Sequence, residues 1–174
     1  MPEKGILGIL GKRWFAIKKE PAVLVGVVGL SVSNDFLAEQ AYQIGKYIGG
    51  KGYVLINGGL GGVMEASSRG AKEAGGLTIG LLPGKSRQDA NPYVDIPLAT
   101  GLNEGRNYLI AQASDVLIAV GGGWGTLSEI SLALKIGKKV ISLNTFPEFS
   151  QEPGFYLAKT VEEATQILEE ILKK

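Results

Sequence analysis

Four short stretches of the chain collect residue types that can hold an anion and act on what is attached to it. They are Gly29-Leu30-Ser31, Gly58-Gly59-Leu60-Gly61-Gly62 with Met64 behind it, Arg106-Asn107, and Gly121-Gly122-Gly123-Trp124-Gly125-Thr126-Leu127-Ser128-Glu129. Successive glycines let backbone N–H groups close on a phosphate without interference from a Cβ. At a helix entrance the same groups gain the field of the helix dipole. Ser31 and Thr126 add hydroxyl donors, and Arg106 offers a planar fork that matches phosphate. Glu129 is the carboxylate of the set, suited to sugar contact or acid–base work. Each stretch also has a structural reading. The first loop can be a plain turn and N-cap. The second, with Gly59-x-Gly61 but not the full G-x-G-x-x-G spacing, can be close packing of helix on strand. Arg106 can be a solvated surface side chain. Glu129, three residues after Thr126, can close a capping box.

Composition narrows the chemistry. The 174 residues include no histidine and no cysteine. The commonest general base and metal ligand are therefore missing, as are disulfides and thiolate sites, and no metal site is expected. Acid–base work must fall to Asp, Glu, Lys or Tyr. A net charge of +1, with Lys and Arg spread along the chain, gives no footprint for nucleic acid. No apolar run reaches the roughly 18 residues that a membrane span needs. The apolar stretch at 5–10 is too short for a signal-peptide core and no cleavage site follows, so a cytoplasmic location is expected. The length fits one domain over 1–174.

The elements that must position these loops alternate. Apolar runs at 22–28, 53–56, 77–82, 115–120 and 139–143, with shorter ones at 94–98 and 155–158, read as strands. The stretches 34–49, 63–73, 104–113, 126–136 and 161–172 read as helices, with Phe36, Leu37, Ala41, Ile44 and Ile48 turned inward on the first of these. Continuous apolar strands suit a sheet buried on both faces. The pattern predicts an α/β, Rossmann-like three-layer sandwich, its sheet mostly parallel, with helices on both faces. In such sheets ligands bind outside the carboxyl ends of the strands, where three of the glycine loops fall. Residues 1–21 read as a helical extension ended by Pro21.

The loops carry a family resemblance. Gly121 to Glu129 resembles the PGGxGTxxE motif of the LOG (Lonely Guy) family, long described as lysine decarboxylases, and Arg106 stands at the position of that family's arginine. Gly58-Gly59 with Gly62-Val63-Met64 resembles its GGGxxGLMG loop, and Gly29-Leu30-Ser31 its GSS. Gly121 stands in place of the family's proline, Asn107 in place of the lysine after the arginine, and Ser128 in place of an acidic residue. The stretch Gly105-Arg106-Asn107-Tyr108-Leu109 and the triple glycine resemble a bacterial and archaeal branch that includes molybdenum-cofactor carrier-like proteins. The LOG resemblance implies hydrolysis of the N-glycosidic bond of nucleoside 5′-monophosphates. Arg106 would hold phosphate or ribose, and Glu129 would assist at the oxocarbenium centre. The carrier branch implies a molybdopterin or nucleotide held by the same loops, with no reaction. Neither needs a resident cofactor. Nothing marks a pyridoxal-phosphate lysine, so decarboxylation is not expected. The resemblance also implies a homo-oligomer, at least a dimer, to which apolar residues of segment 5–20 could contribute a surface.

Overall fold

The computed structural model describes residues 21–173. The apolar runs form β1 (Leu24–Gly29), β2 (Val54–Asn57), β3 (Leu77–Leu82), β4 (Ile96–Ala99), β5 (Val116–Val120), β6 (Lys139–Leu143) and β7 (Phe155–Ala158). They pair in the order β4-β3-β2-β1-β5-β6-β7. Every pairing is parallel, so the expected mostly parallel sheet is parallel throughout. Five α-helices lie among the described residues: α1 (Asp35–Gly50), α2 (Val63–Glu73), α3 (Arg106–Ala113), α4 (Trp124–Lys135) and α5 (Val161–Leu172). The helix expected at 5–20 falls outside the described residues.

The period-2 geometry of β5 shows why its run is apolar without a break. Val116, Ile118 and Val120 enter one core with α1, α2 and α5. Leu117 and Ala119 enter a second core with α3 and α4. Both faces of the strand are thus buried, and a polar residue on either would be stranded. Within α1 the inward stripe is Ala41, Ile44 and Ile48, all fully buried, with Leu37 packed at its edge. Phe36 was expected on this stripe but is 66% exposed. Leu37, Ala41, Ile44 and Ile48 follow the 4-3-4 spacing of one helical face, and Phe36 sits one residue off it. The helix start is set by Asn34, whose Oδ1 accepts from Leu37 N at 2.9 Å.

Two other boundaries differ from expectation. The helix expected from residue 104 begins at Arg106, preceded by a 3-10 turn over Asn103–Gly105. Asn103 adopts a left-handed conformation (φ 50°), which asparagine tolerates better than most residues. The helix expected from 126 begins two residues earlier, at Trp124.

Glycine sets how closely α1 and α2 approach. A Cβ on Gly45 would collide with the Ser67 backbone, and one on Gly70 with the Tyr42 carbonyl. The helices therefore meet backbone to backbone. Gly45→Ala is expected to cost about 1–3 kcal/mol, the usual price of overpacking. Gly50→Ala, at the end of α1 with open space around it, is expected to be neutral or slightly stabilising. Urea unfolding of the two variants checks this; equal stabilities would contradict it.

Candidate functional site

From β1 the chain builds outward through β2 to β4, then returns to the other flank of β1 with β5. The loops leaving β1 and β5 therefore diverge, and a crevice opens at their carboxyl ends. A cavity of about 280 Å³ lies there. One wall is the end of β1, Val27 to Ser31. Gly58, Leu60 and Met64 come from the β2 loop and the start of α2. Pro83 follows β3, Glu104, Arg106 and Asn107 surround the head of α3, and Gly123 to Thr126 with Glu129 come from α4.

Arg106 is the cation in this wall. It is only 8% exposed, against the reading as a solvated surface arginine. Its helix is tied to the sheet by Asn103 N, which donates to Pro83 O at 3.0 Å. Its guanidinium lies over Gly58 so closely that any Cβ there would overlap both terminal nitrogens. Gly58 in turn is held by its neighbours. Asn57, fully buried, accepts from Gly59 N at 2.8 Å and donates to Met64 O at 2.9 Å. Asn91 N donates to Gly59 O at 2.8 Å. Sequence reasoning passed over Asn57 and Asn91. A lone asparagine after an apolar run looks like turn chemistry, and its role depends on contacts distant in sequence.

Glu129, 6% exposed, faces Arg106 with Oε1 3.7 Å from a terminal guanidinium nitrogen. That is an ion-pair distance, not a hydrogen bond. Burial pushes the Glu129 carboxyl up to about 7; Arg106 opposes the rise and the nearby Glu104 charge adds to it. Burial likewise lowers the Arg106 value, with both carboxylates pulling it back. The Arg106 Nε is buried and has no hydrogen-bond partner among the described residues. A buried charged group in this condition is costly.

The capping-box reading of Glu129 does not hold. The N-cap of α4 is Gly123, with no side-chain cap bond, so Glu129 sits well past the first turn. Gly123 to Thr126, at this uncapped helix start, line the cavity, and Thr126 is buried. Trp124 stands at the rim, 87% exposed.

Of the residues singled out from sequence, Gly29, Ser31, Gly58, Met64, Arg106, Asn107, Gly123, Trp124, Gly125, Thr126 and Glu129 line the cavity. Gly59, Gly61, Gly62, Gly121 and Gly122 do not, and packing explains several of them. Gly62 has a positive φ and presses on the Leu30 and Ser31 backbone, Gly121 abuts Leu37, and Gly122 abuts Phe146. At these positions the glycine permits close approach to a neighbouring part of the chain. Leu30, Leu60, Pro83 and Glu104 also line the cavity and carried no sequence signal; only Glu104, two residues before Arg106, could have been suspected from spacing.

An α/β protein with a crevice at the switch point of a wholly parallel sheet is the class that fold and site define. The chain belongs to the SLOG cluster4 family, which it matches over residues 22–171, in keeping with the LOG resemblance of its loops. It is similar to the structure of a molybdenum cofactor binding protein from Rippkaea orientalis, with 39% identity, a TM-score of 0.83, and coverage of 87% of this chain and 98% of that one. It is similar to the molybdenum cofactor carrier protein of Chlamydomonas reinhardtii, with 37% identity, a TM-score of 0.80, and coverage of 88% and 100%. It is also 33% identical over 103 residues to a cytokinin riboside 5′-monophosphate phosphoribohydrolase of Mycobacterium tuberculosis, a match that spans 58% of this chain and 55% of that protein. No helix among the described residues is long and apolar enough to cross a membrane.

The Glu129 environment has a consequence for stability. A carboxyl raised from 4.5 to about 7 binds its proton more tightly in the folded chain. Its stabilising contribution is complete below the unfolded value and drains away as pH rises through the folded one. At about 1.4 kcal/mol per unit, the wild type is expected to lose about 2 kcal/mol more than Glu129→Gln between pH 5 and pH 8. Denaturant unfolding at the two pH values measures the difference; parallel losses would contradict the assignment.

Proposed function

We propose that the cavity binds a phosphorylated nucleotide-like ligand, its anion held by Arg106 and the open N-terminus of α4. The observation that carries this is the buried Arg106, seated over Gly58 with its Nε unpaired. Several donors already converge there. An anion satisfies them at little reorganisation cost, because the loops are fixed by Asn57 and Asn91.

Among ligands of this kind, the molybdenum cofactor, a phosphorylated pterin, is the reading the relatives support best. The two cofactor-binding proteins match nearly their whole lengths, whereas the phosphoribohydrolase matches over about half of its own. The residues present fit such a group. Arg106 and the Thr126 turn would take the phosphate, and the exposed Trp124 offers a face for a flat heterocycle. As a carrier the chain needs no chemistry of Glu129. A second reading is hydrolysis of a nucleoside 5′-monophosphate. There the N-glycosidic bond breaks, water adds to the anomeric carbon, and the base leaves with a proton. Glu129 favours this reading, because a carboxyl titrating near neutrality beside a cation suits proton exchange with water or the leaving base.

The test is to titrate the purified protein with molybdopterin and a panel of nucleoside 5′-monophosphates, following binding by calorimetry and free base by chromatography. The carrier reading expects molybdopterin binding with no base released. It also expects affinity to fall as pH rises through about 7, when Glu129 gains a charge that repels the anion. Base release abolished by Glu129→Gln would establish the hydrolase instead. No binding by any member would contradict both.

A further inference from the structure

The residue after Arg106 and the residue before Glu129 are bonded to each other. Asn107 Nδ2 donates to Ser128 Oγ at 2.8 Å, and Ser128 Oγ donates to Gly125 O, also at 2.8 Å. A serine hydroxyl carries one proton. With that proton committed to Gly125 O, the atom that meets Ser128 must be the amide nitrogen of Asn107. The carboxamide orientation is therefore fixed by the network. Asn107 is 4% exposed and lines the cavity. Among the described residues no group donates to its Oδ1. Ser128 itself is not part of the cavity wall.

Both residues are neutral, so the pair bridges α3 and α4 without adding charge beside Arg106 and Glu129.

We propose that Asn107 is a ligand-binding residue, its carbonyl oxygen held by Ser128 as a fixed acceptor for a neutral O–H or N–H donor on the ligand, next to the anion at Arg106. The inference rests on the ligand-binding reading of the cavity. It narrows the ligand class to a phosphorylated molecule that carries a sugar hydroxyl or a heterocyclic N–H within reach of its anion, and it disfavours a bare phosphoanion. Ser128 is a positioning residue here, because it acts only through the orientation of Asn107. An amide released from it can turn its nitrogen to the cavity and present a donor to a donor.

The experiment compares wild type, Ser128→Ala and Ser128→Thr by calorimetry with inorganic phosphate, ribose 5-phosphate and guanosine 5′-monophosphate. The readout is each organic ligand's affinity relative to that of inorganic phosphate. In Ser128→Ala this ratio is expected to fall about five- to tenfold, the effect of one lost hydrogen bond, and Ser128→Thr, which keeps the hydroxyl, is expected to restore it. A fall for both organic ligands assigns the donor to the sugar; a fall for guanosine 5′-monophosphate alone assigns it to the base. An unchanged ratio, whether all affinities drop together or none does, would overturn the proposal. A wild type that binds neither organic ligand would overturn this inference, while the ligand reading of the cavity stands or falls with the molybdopterin titration above.

Discussion

The placing of Arg106 in a poorly solvated wall opposite Glu129 is the constraint on which the rest of the site depends. Two charges have been taken out of water and set at ion-pair distance without a hydrogen bond between them. Burial works against the charged form of each. Such a pair is weak evidence for stability, since desolvation can exceed the Coulombic gain. The cation lines the crevice with little water around it, and burial pushes the carboxyl opposite up to about 7.

The fold holds this arrangement with modest means. The parallel sheet sends its loops to one edge, and the return of the chain to the second flank of β1 parts the β1 and β5 loops there. Gly58 removes the atom that would otherwise occupy the guanidinium's place. Asn57 and Asn91 pin the loop that presents Gly58. The Asn107–Ser128 bond ties the helix bearing Arg106 to the helix bearing Glu129. Each device is local, and together they place residues from elements far apart in sequence within one small cavity.

Much of this was legible in the sequence. Apolar runs that are buried on both faces announce themselves by their continuity, so the strands of the core and their alternation with helices could be read directly. Arg106 and Glu129 stood out because their residue types fit a motif. What could not be read was which glycines line the cavity and which pack against another part of the chain. Gly58 and Gly122 look alike in sequence, yet one seats a guanidinium and the other a phenylalanine ring. Phe36 was misplaced because one residue of helical phase turns a side chain about 100°. The contact between Asn107 and Ser128 joins positions 21 residues apart, and only the packing of α3 on α4 reveals it.

The central claim is that Arg106 is the anchor of the ligand's anion. Titration of the folded Arg106→Met variant with guanosine 5′-monophosphate and molybdopterin, beside the wild type, tests it most directly. Loss of a buried charged partner is expected to weaken binding of whichever ligand the wild type takes by about thirtyfold or more. Circular dichroism should show the fold intact. A folded variant that binds that ligand as tightly as the wild type would contradict the account, and would place the anion elsewhere in the crevice.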